Sequence, residues 1–286
     1  MRGFLLVDKP EGITSHDVVA RIRRTLNIKK VGHAGTLDPM ATGLLVIAVG
    51  PATRLIRWVQ DDEKEYETTV ALGVGTTTLD SEGAITERVD MSSTTRGDVA
   101  AVLERFKGQI SQIPPMVSAL KVEGKRLYAL AREGIEVERE PRAVTIKELE
   151  ITSFEAGLEP VVGLRIVCSK GTYIRTLGDD IGISLGGRGH LTSLRRTRIG
   201  ALALDNAVEL DSVSDERLID PADALSSMTA WAVDAETEQL IGYGRPLARP
   251  VGYPLGTELR VMSQTGRMLA VYIVEEKRMR PQVVLG

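Results

Sequence analysis

Cysteine is nearly absent from this chain of 286 residues. The single cysteine, Cys168, excludes an internal disulfide and is typical of proteins kept in a reducing compartment. One cysteine and three histidines are too few for a thiolate-rich zinc site. The apolar runs, such as residues 44–49, are far shorter than the roughly 20 residues that a membrane-spanning helix needs. The composition therefore predicts a soluble, cytoplasmic protein.

Sequence signatures of two common enzyme classes are also missing. The chain has no glycine-rich segment ending in Gly-Lys-Ser or Gly-Lys-Thr, which would mark a phosphate-binding loop. The glycines of residues 73–75 lack the third glycine of a dinucleotide-binding turn. These absences disfavour a nucleotide hydrolase and a dinucleotide-dependent enzyme.

Positive charge is slightly outnumbered by negative charge overall but is locally concentrated. The net charge is −3, yet residues 1–60 carry nine Lys or Arg against four Asp or Glu. Residues 165–200 carry seven against two, whereas residues 205–238 carry one against ten. A local basic face can bind phosphates on a protein of negative total charge. The alternative interpretation, that these runs are solvated faces, stays open at this point.

Short periodic segments outline an α+β protein. Alternating or fully apolar segments predict strands at residues 4–7, 44–49, 66–72, 144–151 and 161–168. Helices are predicted to begin at Thr14 or Ser15 and at Thr95, and to cover residues 172–185. Residues 29–43 show no regular period and predict a loop.

The composition changes after residue 205, where an acidic stretch leads into a last section of short alternating segments. These segments, at residues 259–262, 268–274 and 282–285, predict a small β domain. We therefore expect a large catalytic domain at residues 1–225, built on a mixed and mostly antiparallel sheet, and a small β domain at residues 226–286.

One aperiodic segment stands out as a candidate site. Residues 32–44 read Gly-His-Ala-Gly-Thr-Leu-Asp-Pro-Met-Ala-Thr-Gly-Leu, which places Asp38 in a loop ahead of an apolar strand. Loops on a rigid scaffold often carry function. Because Asp-Pro is also a common turn, Asp38 has an equally good structural interpretation at this point.

This segment resembles the active-site motif of the TruB family of pseudouridine synthases, with Met40 in place of a leucine. The resemblance extends over residues 3–200 through motifs in the family's order. These are the opening strand and Lys-Pro turn at residues 3–10, Lys64-x-Tyr66, residues 113–121, residues 168–175 and Leu194-Arg195-Arg196. One departure is Thr77, which replaces the first aspartate of a family motif that retains Asp80.

The resemblance implies that uridine 55 in the T-loop of tRNA is isomerised to pseudouridine after the base has flipped out. It implies a pseudouridine synthase fold, a PUA-like C-terminal domain, a monomer, and no cofactor or metal. Asp38 would be the essential carboxylate. Two routes stay open: the carboxylate adds to a carbon of the base or the ribose, or it takes the 2′ proton.

Roles for other residues follow from the same resemblance. Arg175 would keep Asp38 ionised, because a guanidinium favours a nearby carboxylate. Tyr66 would stack on the flipped uracil and assist the final deprotonation; without the resemblance it reads as a half-buried strand residue. The remaining predicted substrate-binding residues are His33, Tyr173, Leu194, Lys9, Lys64, Arg195 and Arg196.

The last four are lysines and arginines with two kinds of expected role. Lys9 would support the active-site loop, whereas Lys64, Arg195 and Arg196, together with Arg198, would contact phosphates. Two functions outside this class remain as alternatives, and a related enzyme that modifies another RNA through guide particles is a third alternative within it. One is a non-catalytic RNA-binding or tRNA-folding module on the same scaffold. The other is a glycoside-type hydrolase, which would need a second carboxylate paired with Asp38.

Overall fold

The computed structural model describes residues 1–117, 121–122, 125–126, 135 and 137–285. The chain divides into two compact units. The first comprises Met1–Pro39, Gly43–Asp62 and Arg198–Gly286, and the second comprises Met40–Thr42 and Glu63–Thr197. Residues 118–120 of the predicted motif at 113–121 lie outside the described part of the chain.

Strands are the main element of the described residues. In chain order they are β1 (Gly3–Lys9), β2 (Val31–His33), β3 (Thr42–Val49), β4 (Lys64–Leu72), β5 (Val74–Thr76), β6 (Ile85–Arg88), β7 (Gly108–Gln112), β8 (Lys121–Val122), β9 (Lys125–Arg126), β10 (Arg142–Glu155), β11 (Val161–Cys168), β12 (Gly189–Ile199), β13 (Leu202–Ala203), β14 (Val208–Glu209), β15 (Ala230–Ala232), β16 (Leu247–Ala248), β17 (Glu258–Met262), β18 (Met268–Val274) and β19 (Arg278–Val284). The helices are α1 (Ser15–Thr25), α2 (Ile56–Asp61), α3 (Arg96–Leu103), α4 (Ile174–Ser184), α5 (Pro221–Ala224) and α6 (Ala235–Gly242).

The first unit is built around the apolar strands β1 and β3. They pair antiparallel, with Phe4 opposite Ala48, while β14 pairs parallel to β1 and β2 pairs antiparallel to β3. Most side chains of β1 and β3 are buried, as their uninterrupted apolar sequences predict. This sheet segment provides the rigid base from which the loop after β2 extends.

Helix α1 forms where its sequence provides a capping box. The Thr14 hydroxyl accepts a hydrogen bond from the Asp17 amide at 3.1 Å, and the Asp17 carboxylate accepts one from the Thr14 amide at 2.9 Å. Val18, Val19 and Ile22 form its buried stripe. The cap fixes the first turn of the helix, which carries Ser15 and His16.

The C-terminal strands of the first unit form a separate sheet in the order β15-β17-β18-β19-β16. One face has its own core around Tyr272, Leu259 and Val261. Residues of the other face, such as Met268, belong to the same apolar cluster as Phe4 of β1. The C-terminal β domain is thus a distinct sheet that shares a core with the N-terminal strands, and its boundary at residues 225 and 226 stays a prediction.

The second unit contains strands in the order β12-β4-β11-β10-β7. Strands β4, β11, β10 and β7 pair antiparallel, with Tyr66 opposite Ile166 and Ile146 opposite both Cys168 and Gly108. Helix α4 follows β11 and precedes β12, whose last two residues belong to the first unit. Both elements carry predicted site residues.

The α+β fold class is confirmed, and the predicted strands and helices are present within a few residues of their expected bounds. The loop predicted for residues 29–43 is partly wrong, because Val31–His33 pairs with β3 as a short strand. Three residues are too few to show a period. The longest helices among the described residues, α1 and α4, have 11 residues each, too short to cross a membrane.

Candidate active site

The loop that carries Asp38 connects β2 to β3, and its backbone is held at both ends. Near its start, the Ala34 amide donates to the Val46 carbonyl at 2.8 Å. Near its end, the Pro39 carbonyl accepts from the Gly12 amide at 2.9 Å. Gly35 has φ +98°, a conformation that side chains other than glycine rarely adopt. Asp38 itself is half-buried.

Ser15 fixes the loop one residue before Asp38. Its hydroxyl donates to the Leu37 carbonyl at 3.1 Å and accepts from the Leu37 amide at 2.9 Å. Both groups are buried, so the two bonds replace solvent contacts that the loop backbone has lost. Sequence reasoning identified Ser15 only as a possible helix cap, and the cap is Thr14. No local pattern marks a serine that bonds a loop 22 residues away.

Lys9 fixes the loop one residue after Asp38. Its ammonium donates to the carbonyls of Pro10 at 2.8 Å and Pro39 at 3.2 Å, and the side chain is completely buried. These two bonds hold the backbone on that side of the loop, and the supporting role expected for Lys9 stays a prediction. It leaves the ammonium no exposed surface for a direct contact with RNA.

His33 is the last residue of β2 and is half-buried. Its ring meets the ring of His16 edge to face, with centroids 5.3 Å apart and an interplanar angle of 77°. His16 lies in the first turn of α1 and is exposed. The helix that anchors Leu37 through Ser15 therefore also contacts His33.

In the second unit, Tyr66 and Leu194 lie on the neighbouring strands β4 and β12. Tyr66 is half-buried and Leu194 is buried. The Thr68 hydroxyl donates to the Ser193 carbonyl, which fixes the register of the two strands next to these residues. The strand position expected for Tyr66 is confirmed, whereas its stacking role stays a prediction.

Arg175 is a buried guanidinium with several fixed contacts. Its Nη1 donates to the Thr78 carbonyl at 2.8 Å and its Nη2 to the Val117 carbonyl at 2.7 Å. Nη1 also lies 3.4 Å from Asp80 Oδ2, and both side chains are 4% exposed. A buried ion pair of this kind orients its members strongly, because breaking it leaves an uncompensated charge.

The turn that presents Asp80 is built by threonines. The Asp80 carboxylate accepts from the Thr78 hydroxyl and from the Glu82 amide, and the Thr76 hydroxyl donates to the Asp80 carbonyl. Thr77, which stands in place of the family's aspartate, accepts from the Ala84 amide at 3.1 Å. Its hydroxyl therefore closes the turn as a carboxylate could.

Gln112 holds the start of α4. Its Oε1 accepts from the Tyr173 amide at 3.0 Å, and its Nε2 donates to the Tyr173 carbonyl at 3.3 Å. Gln112 is buried, and Tyr173 has no side-chain cap of its own. These bonds fix the backbone two residues before Arg175. Sequence reasoning missed Gln112, although it directly precedes the quoted motif at residues 113–121.

The predicted phosphate-contacting residues differ in exposure. Arg196 is 1% exposed and Lys64 is 6% exposed, so neither side chain offers much surface to a phosphate in this conformation. Arg195 is half-buried and donates to the Thr42 hydroxyl at 3.2 Å. Of these three cations, Arg195 has the most surface to offer a phosphate.

Two aspartates of α4 have different electrostatic surroundings. Asp179 accepts two hydrogen bonds from the Arg188 guanidinium, at 2.9 and 2.8 Å. Burial raises the pKa of Asp180 to about 6, and the negative charge of Asp179 adds to this effect.

Residues 182–186 match the Gly-x-Ser-x-Gly pattern of serine hydrolases. In those enzymes the serine lies on a sharp turn from a strand into a helix. Ser184 instead is the last residue of α4. The pattern therefore has no nucleophile elbow around it.

Comparisons with known proteins place the chain in a class of RNA-modifying enzymes, the pseudouridylate synthases. The family model of the TruB N-terminal domain matches residues 23–174, and the model of the tRNA pseudouridylate synthase B C-terminal domain matches residues 175–229. The chain belongs to the TruB family of pseudouridylate synthases. The predicted resemblance is thereby confirmed.

Individual relatives agree with the family models. A tRNA pseudouridine synthase B of Symbiobacterium thermophilum is 48% identical over 85% of this chain and 82% of its own length. One of Syntrophotalea carbinolica is 41% identical over 97% of this chain and 94% of its own length.

Solved structures confirm the fold. An H/ACA RNP bound to a substrate RNA containing 2′-deoxyuridine is similar at a TM-score of 0.74 and 24% identity, over 98% of this chain and 83% of that chain. An archaeal box H/ACA sRNP complex is similar at a TM-score of 0.73 and 24% identity, over 99% of this chain and 85% of that chain.

Proposed function

We propose that this protein isomerises a uridine of tRNA to pseudouridine. The observation that carries this proposal is the match of both TruB domains together with an Asp38 loop held on each side by hydrogen bonds to the buried side chains of Lys9 and Ser15. The relatives cited above are named tRNA pseudouridine synthase B, and the matched region covers most of their length. We further propose uridine 55 of the T-loop as the target.

The reaction is balanced without a co-reactant. The N1–C1′ bond breaks, the uracil turns while bound, and C5 bonds to C1′. The hydrogen on C5 leaves as a proton, and N1 gains one. We propose Asp38 as the carboxylate that acts on the nucleoside, by addition or by taking the 2′ proton. A fixed loop suits either role, because a rigidly placed group loses little entropy in reaching the transition state.

We assign four further residues to the base and the carboxylate. Arg175 is the proposed cationic partner of the Asp38 carboxylate, and its contacts with Thr78, Val117 and Asp80 support this role by fixing its guanidinium. Tyr66 stacks on the uracil, which is worth about 1–3 kcal/mol per base. Tyr173 and Leu194 form the walls around the base. His33 contacts the RNA next to the flipped nucleotide.

Recognition of the T-arm is proposed to depend on shape. Extruding a base costs a few kcal/mol and costs least in an irregular loop, which favours a T-loop over a regular stem. Among the predicted phosphate contacts we retain Arg195, which is not fully buried, and assign Lys64 and Arg196 to the support of the strands. A monomer in the cytoplasm, working without cofactor or metal, remains the expectation.

The proposal is tested with T-arm RNA tritiated at uracil C5. Wild-type protein is expected to release tritium, and Asp38→Asn is expected to release none while binding the RNA with nearly unchanged affinity. Asp205→Asn makes the same change at an exposed site without a described hydrogen bond and is expected to retain full activity.

Each alternative has its own outcome in this assay. Binding without tritium release by the wild type would support the RNA-binding module and overturn the enzyme assignment. Free uracil among the products would indicate hydrolysis of the glycosidic bond. Equal tritium release by Asp38→Asn and wild type would remove Asp38 from the reaction.

A further inference from the structure

A group of cations that the proposed mechanism does not use lies on α1 and the turn after it. Arg23 and Arg24 are in the last turn of the helix, and Lys29 and Lys30 immediately precede β2. All four are exposed, and the sequence contains no Asp or Glu between Asp17 and Asp38. We name these four residues the α1–β2 basic surface.

The charges of this surface are not neutralised by neighbouring acids. Arg21, one turn earlier, is ion-paired with Asp211. Within the described ranges no ion pair reaches Arg24, Lys29 or Lys30. The position of Arg24 is explained in part by the helix dipole, because the dipole favours cations in the last turn of a helix. Lys29 and Lys30 lie beyond the helix, where that effect has faded.

The turn that presents the lysines is ordered. The Ile28 amide donates to the Arg23 carbonyl at 3.1 Å, and the Gly50 amide donates to the Lys30 carbonyl at 2.8 Å. The Arg23 guanidinium donates to the Val31 carbonyl at 2.8 Å and so bridges the helix to β2. The lysine backbone is therefore preorganised, which lowers the entropic cost of an ionic contact.

The surface is continuous with the proposed site. His16, Arg23 and Arg24 are spaced i, i+7 and i+8, so they share one face of α1. His16 contacts the ring of His33, and Lys30 is three residues before His33 in the chain. At 1.5 Å per residue, Arg24 lies about 12 Å along the helix from His16. That length is about three times the axial rise per phosphate of one strand in a regular duplex.

We propose that the α1–β2 basic surface binds phosphates of the substrate RNA that adjoin the isomerised nucleotide. This inference rests on the proposed function and adds a second phosphate-binding surface to Arg195. Because phosphate contacts release counterions, each one adds to the salt dependence of binding and carries no sequence information. The contacts therefore affect affinity and leave the chemical step unchanged.

The test compares the double variant Lys29→Gln/Lys30→Gln with the control Arg105→Gln/Lys107→Gln. Both variants remove two exposed positive charges from the full-length protein. The dissociation constant for T-arm RNA is measured between 50 and 300 mM salt, together with kcat and KM for tritium release. We expect Lys29→Gln/Lys30→Gln to bind the RNA roughly tenfold more weakly near 0.1 M salt. We also expect the magnitude of the negative slope of log K against log salt to decrease by about 2. We expect kcat within twofold of wild type and a slope for the control close to that of wild type.

The result that overturns this inference is a slope for Lys29→Gln/Lys30→Gln equal to that of the control. Weaker binding with an unchanged slope would also overturn it, since contacts other than phosphates would then be involved. Arg24→Gln gives an independent measurement, with an expected decrease of about 1 in the magnitude of the slope of log K against log salt. If the wild type itself neither bound nor isomerised the RNA, the proposed function would fail, which is distinguishable from failure of this surface alone.

Discussion

At the scale of single residues, the polar groups next to the proposed catalytic side chains hold backbone in place. Ser15 and Lys9 fix the residues on either side of Asp38, and Asp80 orients Arg175. A catalytic group whose neighbours are locked needs little reorganisation during the reaction. This explains why so many charged residues of the quoted motifs are buried.

Asp180 provides a residue-scale prediction of stability against pH. Its pKa of about 6 in the folded protein exceeds the ordinary value of 3.8, so the folded state binds this proton more strongly. The more tightly bound proton stabilises the folded state at low pH, and this stabilisation is lost as the pH rises from about 4 to about 6. Asp180→Asn is expected to raise the free energy of unfolding at pH 7 by about 1 kcal/mol, after a reduction for partial solvent exposure.

Urea unfolding at pH 4 and pH 7 measures this effect. Asp205→Asn, at an exposed position, is the control. We expect it to change the free energy of unfolding by no more than about 0.5 kcal/mol at either pH. A gain for Asp180→Asn that was as large at pH 4 as at pH 7 would contradict the electrostatic explanation.

At the scale of elements, Gln112 joins the end of β7 to the beginning of α4. Gln112→Met keeps most of the side-chain volume but leaves the partly buried Tyr173 amide without this acceptor. We expect a loss of about 1–3 kcal/mol in the free energy of unfolding. Because Arg175 is two residues beyond Tyr173, we also expect kcat to fall more than KM rises.

Gln109→Met is the matched control, since Gln109 lies exposed on the same strand. Urea unfolding and tritium-release kinetics of both variants separate a local effect on α4 from a general effect on β7. Unchanged stability and kcat in Gln112→Met would show that these two hydrogen bonds do not position the helix.

At the scale of the whole molecule, the first unit joins the two ends of the chain through one apolar cluster. Met268 of the C-terminal sheet is 1% exposed in the cluster that contains Phe4 of β1. Met268→Ala is expected to lower the free energy of unfolding by about 2–5 kcal/mol through lost burial and a residual cavity. Chemical denaturation followed by circular dichroism measures the loss.

Leu255→Ala serves as the control for this prediction, because Leu255 is 58% exposed. Its expected effect is within about 0.5 kcal/mol. If Met268→Ala were no more destabilising than Leu255→Ala, the shared cluster would contribute little and the C-terminal sheet would behave as an independent domain.

The sequence by itself determined the family, the α+β class, most strands and the position of the Asp38 loop. Strand and helix periods and the capping box are local signals, and they are readable over a few residues. The quoted motifs are local in the same sense, so Asp38, Tyr66 and Arg175 could be singled out without coordinates. The three-residue strand β2 was missed because it is too short to show a period.

Only the tertiary structure decided which polar residues support the site. Ser15 bonds Leu37 and Gln112 bonds Tyr173, which joins separate parts of the chain. Thr77 closes the irregular turn that contains Asp80. It also decided that Lys9, Lys64 and Arg196 are buried, although a lysine or arginine in a sequence predicts a solvated surface. The physical reason is that burial and hydrogen-bond partners depend on which segments the fold brings together, and side-chain type alone does not specify this.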